Sequence, residues 1–99
     1  MEKKEKIIFQ EEAKQSLRNI AIYIEEKSYP ETSERYIQRM LDFVKSLAVF
    51  PNKYSLCRFI KFAKRKLHCA VFEHTYIFAY KVVKNRLIIY NVIHSKALK

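Results

Sequence analysis

The spacing of apolar residues changes once along this chain, and that change limits the folds open to it. From Gln10 to Lys27, Ala13, Leu17, Ile20, Ala21 and Ile24 recur at intervals of three and four. This is one stripe of an amphipathic helix. The same spacing returns in Tyr36, Ile37, Met40, Leu41, Val44 and Leu47. Beyond residue 66 the period falls to two. KLHCAVF (66–72), YIFAYKVV (76–83) and RLIIYNVIH (86–94) are rich in β-branched and aromatic residues and read as three strands. A shorter apolar run, EKIIF (5–9), reads as a first strand. Helices and a sheet that each carry one apolar face must cover one another.

The links between these runs set the topology. SYPE (28–31) ends one helix and starts the next: Ser28 and Glu31 have capping-box spacing, and Pro30 suits a first turn. Phe50-Pro51 ends the second helix. So short a link predicts an antiparallel helical hairpin. EHT (73–75) and KN (84–85) leave room only for β-hairpins. A two-residue Lys84-Asn85 loop sets Val83 opposite Arg86, Ala79 opposite Tyr90 and Thr75 opposite His94. Setting Phe72 opposite Ile77 places His68 opposite Lys81. One face then collects Leu67, Cys69, Val71, Phe78, Tyr80, Val82, Leu87, Ile89 and Ile93 as core. The other carries Lys66, His68, Lys81, Tyr90 and His94 among Ala70, Phe72, Ile77, Ala79, Ile88 and Val92. The expectation is an α+β fold of order β-α-α-β-β-β. A helical hairpin packs on one face of a small, mainly antiparallel sheet, in one domain over residues 1–99.

Charge divides at the same point as the apolar period. Residues 1–50 hold nine Lys/Arg and nine Asp/Glu, whereas residues 51–99 hold eleven Lys/Arg and one acid, Glu73. A segregated positive field attracts a polyanion or an acidic protein partner. Its densest part is KFAKRKLHC (61–69), where Lys61, Lys64, Arg65 and Lys66 repel one another. No apolar run is long enough to span a bilayer, so no membrane partner is expected. The opening MEKKEKIIFQEE does not read as a secretion signal, and the expected compartment is the cytoplasm. Cys57 and Cys69, without CxxC spacing, are expected as small buried hydrophobes and not as a disulfide.

Such a face suits phosphate chemistry. Cleaving RNA by transesterification needs a base for the 2′-hydroxyl, an acid for the leaving oxygen and fixed cations around the phosphorane. His68 and His94 can serve as acid or base, and Arg65 as the phosphate clamp. Tyr90 can stack on a base or hold the attacking hydroxyl. Lys61, Lys64, Lys66 and Lys81 supply further cations, and a lysine crowded by cations can itself act as a base. His74, in a turn, is expected to be solvated. With a single acid in the basic half and no zinc-ligand spacing, any such chemistry is expected to need neither metal nor cofactor. No P-loop or GxSxG is present.

YPETSERYIQRMLDFVKSLAVFP (29–51), KRKL (64–67), YIFAYKV (76–82) and LIIYNVIHSKAL (87–98) together resemble the RelE/ParE superfamily of toxins from type II toxin–antitoxin modules. The resemblance implies the same fold, and a cognate antitoxin as partner that covers the basic face. It sets Arg65 at the family's strand-start arginine and His94 at its C-terminal histidine. Two activities are implied. One is metal-independent cleavage of mRNA on the ribosome, the leading expectation, and the other is inhibition of DNA gyrase without nuclease chemistry. A non-enzymatic nucleic-acid-binding module is the remaining alternative.

Overall fold

The computed structural model describes residues 6–97. Strand β1 (Lys6–Phe9) leads into helix α1 (Glu11–Lys27) and then α2 (Pro30–Val49). A single helical turn, α3 (Ile60–Ala63), precedes β2 (His68–Phe72), β3 (Tyr76–Val83) and β4 (Arg86–His94). A 3-10 turn, Ser95–Ala97, follows. Glu5, expected in the first strand, lies outside the described residues. The sheet order is β1-β4-β3-β2, with β1 parallel to β4 and the other pairs antiparallel.

The helical hairpin forms as expected, but its corner works differently. Ser28 does not cap α2; the N-cap is Tyr29, without a side-chain hydrogen bond, and Pro30 opens the first turn. The useful serine is Ser33, which is buried and donates from Oγ to the Ala21 carbonyl at 2.9 Å. A small side chain there lets the helices approach, and the hydrogen bond satisfies its hydroxyl. Ala13, Ile20, Met40, Val44, Leu47 and Ala48 then cover one face of the sheet.

β3 and β4 match their expected ranges, β2 starts two residues later than expected, at His68, and two registers differ. The Lys84-Asn85 turn sets Val83 opposite Arg86 as expected, with φ of 49° and 63° at its two residues. After Tyr80 pairs with Ile89, however, Ala79 pairs with Asn91. Tyr90 is therefore the extra residue of a β-bulge. In the other hairpin Phe72 pairs with Tyr76, not Ile77, and His68 with Tyr80, not Lys81. Glu73 and His74 make this turn by entering the left-handed region, at φ 47° and 59°. That costs ~1 kcal/mol or more per residue. The return is that Phe72 is buried against Tyr36, Phe43 and Phe78.

A slip of one residue exchanges the faces of a strand. Ala70, Phe72 and Val92 accordingly join the main core, where they were expected outside it. Cys69 and Ile93 turn to the opposite face, and Val71 is 45% exposed. Phe78, Tyr80, Leu87, Ile89 and Val82 face the helices as expected.

Tyr80 ties the core to the chain beyond α2. Its side chain is fully buried and its hydroxyl donates to the Pro51 carbonyl at 2.6 Å. Burial, reinforced by the nearby Tyr54 phenol, pushes the Tyr80 phenol up to about 12. Burial also raises Tyr36 and Tyr76. These groups hold their protons more tightly when folded than when unfolded. The stability they give is complete below the ordinary tyrosine value of about 10 and is lost as pH rises from there to about 12. Denaturation midpoints measured across pH 8–12 should be level and then fall above pH 10. Tyr80→Phe should flatten that fall and cost about 1 kcal/mol at neutral pH, because the Pro51 carbonyl loses its donor.

Candidate functional site

The basic segment after α2 folds onto the face of the sheet that the helices leave free. Its first part runs antiparallel to β2: Leu56 bridges His68, the Cys57 N–H donates to the Leu67 carbonyl at 2.8 Å, and the Cys69 N–H donates to the Ser55 carbonyl at 3.3 Å. This brings the Cys57 and Cys69 Cα atoms to 4.9 Å, and the two residues form a disulfide. The expectation of two separate thiols is therefore corrected. Irregular strand pairing of this kind leaves no period in the sequence.

The sequence shows no apolar period over residues 52–66, yet the segment contains α3 and, with Leu67, a second small core. Cys57, Phe62 and Leu67 are buried with Ala79, and Phe59, Cys69, Tyr90 and Ile93 pack around them. Lys66 reverses the chain with φ 57°. This face of the sheet is thus partly covered, not open.

Arg65 and Tyr90 are brought together. Alternation from Leu87 and Ile89 turns Tyr90 to this face, and the Arg65 guanidinium carbon lies 4.7 Å from the centre of its ring. Stacking a guanidinium on a ring leaves its edge free to donate to an anion. Arg65 makes no ion pair among the described residues. The two residues line a shallow cleft of about 320 Å³ with Gln10, Glu11 and Glu12. Glu12 accepts from Asn91 Nδ2 at 3.5 Å, and Asn91 Oδ1 accepts from Ser16 Oγ at 2.9 Å. Glu11 and Glu12 read only as a solvated face in the sequence. Their place in the cleft follows from the chain crossing the β4 edge at Gln10, whose N–H donates to the Ile89 carbonyl at 2.9 Å.

Lys61, Lys64 and Lys66 are exposed around this segment, and Lys61 Nζ lies 5.9 Å from the centre of the Phe62 ring. Lys81 is half-buried and pairs with Ile88. Lys61, Lys64 and Lys66 are thus carried on the segment that covers the face opposite the helices.

Both histidines lie away from it. His68 is stacked on Tyr80 at 5.3 Å, on the helix-facing side of β2. Its Nδ1 is 2.7 Å from the Tyr54 carbonyl, which can only accept, so Nδ1 carries a proton. His94 is exposed, edge-on to Tyr76 at 5.3 Å. Its Nδ1 accepts from the Lys96 N–H at 3.1 Å, which leaves Nε2 protonated in the neutral ring. Tyr76 and Tyr80 are four residues apart on β3, about 13 Å along a strand. The two imidazoles are therefore apart from each other as well as from Arg65. The register slip explains His68, and the bulge explains His94. His74 is exposed in its turn, as expected.

Residues 7–98 match the family described as the ParE toxin of the type II toxin–antitoxin system, parDE. The chain belongs to the ParE toxin family. It is a RelE/ParE superfamily toxin of a type II toxin–antitoxin module, a module that implies an antitoxin partner. A solved chain from the chromosomal ParDE TA system of P. aeruginosa has the same fold, with a TM-score of 0.75 over 91% of this chain and 95% of that one, at 14% identity. No curated protein matches the sequence. No helix among the described residues of this ParE-family chain is long and apolar enough to cross a membrane.

The exposure of Arg65 sets a first test of the site. Arg65→Gln should move the melting temperature by no more than ~2 °C, as surface substitutions do.

Proposed function

We propose that this toxin acts by binding, as an inhibitor of DNA gyrase, and that Arg65 on Tyr90, with Lys61, Lys64 and Lys66, forms its contact surface. One observation carries the reading. The two imidazoles suited to moving protons lie away from the cations suited to holding a phosphate. Cleavage of an RNA backbone needs both within hydrogen-bond reach of the same phosphate. Here His68 is tied through Nδ1 to Tyr54 and stacked on Tyr80. His94 lies at the far end of β4, on the opposite side of the sheet from Arg65. Membership of the ParE family, whose resemblance carries gyrase inhibition, supports the same reading.

The second reading is a ribosome-dependent mRNA endoribonuclease, favoured by the exposure of His94 at the end of β4. The two readings make opposite predictions for one variant. Under the proposed reading His94→Ala keeps toxicity within about two-fold, whereas Arg65→Ala weakens inhibition of purified gyrase by ten-fold or more, as loss of a charge-assisted contact does. Induction of the toxin alone, with pulse-labelling of DNA and protein synthesis, should show DNA synthesis failing first. Translation arrest ahead of DNA arrest, together with loss of toxicity in His94→Ala, would establish the nuclease reading instead.

A further inference from the structure

The segment enclosed by Cys57 and Cys69 packs through a small cluster separate from the main core. Its regular structure is the single turn Ile60–Ala63. Five exposed cations, Arg58, Lys61, Lys64, Arg65 and Lys66, lie within nine residues, and their mutual repulsion opposes any compact arrangement. Cys57, Phe62 and Leu67 are its buried anchors, and Lys66 is held in the left-handed region. The disulfide closes a ring around all five cations. It joins the start of the segment to β2, the strand on which the segment rests.

We propose that the Cys57–Cys69 disulfide is a redox latch on this basic segment. Oxidised, it holds the five cations against the sheet; reduced, the segment opens locally while the helices and sheet stay folded. The reductant is a dithiol. One of its thiolates attacks Sγ of Cys69, the half-buried partner, because Cys57 is only 5% exposed. The S–S bond breaks and Cys57 leaves as a thiolate that takes up a proton. The second thiol of the reductant then attacks the mixed disulfide at the reductant's own sulfur, and Cys69 is released as a thiol. The protein gains two electrons and two protons, and the dithiol becomes a disulfide.

Two features make the opening local. The main core of helices and sheet shares no buried residue with the cluster beneath the segment. Removing a cross-link restores the conformational freedom of the loop it closed, and only this loop is closed here. For activity the consequence rests on the proposed reading of these cations as the gyrase contact: the oxidised toxin inhibits at lower concentration than the reduced one.

The test equilibrates the full chain in graded ratios of reduced to oxidised dithiothreitol. Thiols are counted by alkylation and mass, and each sample is exposed briefly to trypsin. Cleavage after Arg58, Lys61, Lys64, Arg65 and Lys66 should rise about ten-fold or more in step with the thiol count, with far-UV circular dichroism nearly unchanged. The double variant Cys57→Ser/Cys69→Ser should cleave like the reduced protein at every ratio. If that variant does not fold, the wild-type series alone decides. Cleavage independent of the thiol count would overturn the latch. So would loss of the circular dichroism signal on reduction, which would make the disulfide a staple of the whole fold. Gyrase inhibition measured on the same samples separates the two claims. If neither form inhibits, the proposed target is wrong while the cleavage rates still decide the latch.

Discussion

The single extra residue in β4 decides which side chains share a face. Up to Ile89 the strand alternates regularly against β3, with Leu87 and Ile89 in the core. At Tyr90 the ladder takes in an unpaired residue, and every later position is displaced by one relative to simple alternation. Val92 enters the core, Ile93 leaves it, and His94 comes to Tyr76 on the helix side. Asn91, beside the bulge, reaches α1 through Ser16. Tyr90 itself is aimed at the other face, where Arg65 rests on it. Without the bulge the sheet would carry the same residues with a different chemistry on each side.

The second constraint is that the face left by the helices cannot stay bare. Ala79, Cys69 and Ile93 would expose a strip of apolar surface, and such strips in water favour association. The basic segment covers it with Phe62 and Leu67 while turning its lysines and arginines outward. Covering the sheet and displaying positive charge are thus done by the same eleven residues between Cys57 and Leu67. This is why the most charged part of the chain also has buried aromatic and aliphatic anchors.

Much of this was legible in the sequence, and the parts that were not share a cause. The helices could be read because their stripes are long and their ends carry Pro30 and Phe50-Pro51. The strand ranges could be read because Tyr76–Val83 and Arg86–His94 are bounded by short polar links. The sides were harder. Alternation tells which residues travel together along a strand, but not whether a three-residue turn through Glu73 and His74 is tolerated, nor where a bulge falls. In a chain without glycine, left-handed turns leave no obvious mark, and here they occur at Lys66, Glu73, His74, Lys84 and Asn85. The grouping of His68 and His94 with Lys81 and Tyr90 on one face therefore did not carry over to the structure, and the stacking of Arg65 on Tyr90 left no mark in the sequence. The disulfide was missed because it depends on tertiary contact between an irregular segment and β2.

The parallel pairing of β1 with β4 joins the first strand to the last. Lys6–Phe9 pairs with Arg86–Ile89, some eighty residues later in the chain. Contacts so distant in sequence form late in folding, after loop closure has been overcome. During synthesis the two helices can emerge and pair, but the sheet beneath them lacks the strand between β1 and β3 until Arg86–His94 leaves the ribosome. The surface that includes the Tyr90 platform therefore exists only once β4 has been made. A truncated product that stops before β4 has neither a closed core nor the residue on which Arg65 rests, so interrupted translation yields fragments without the assembled site.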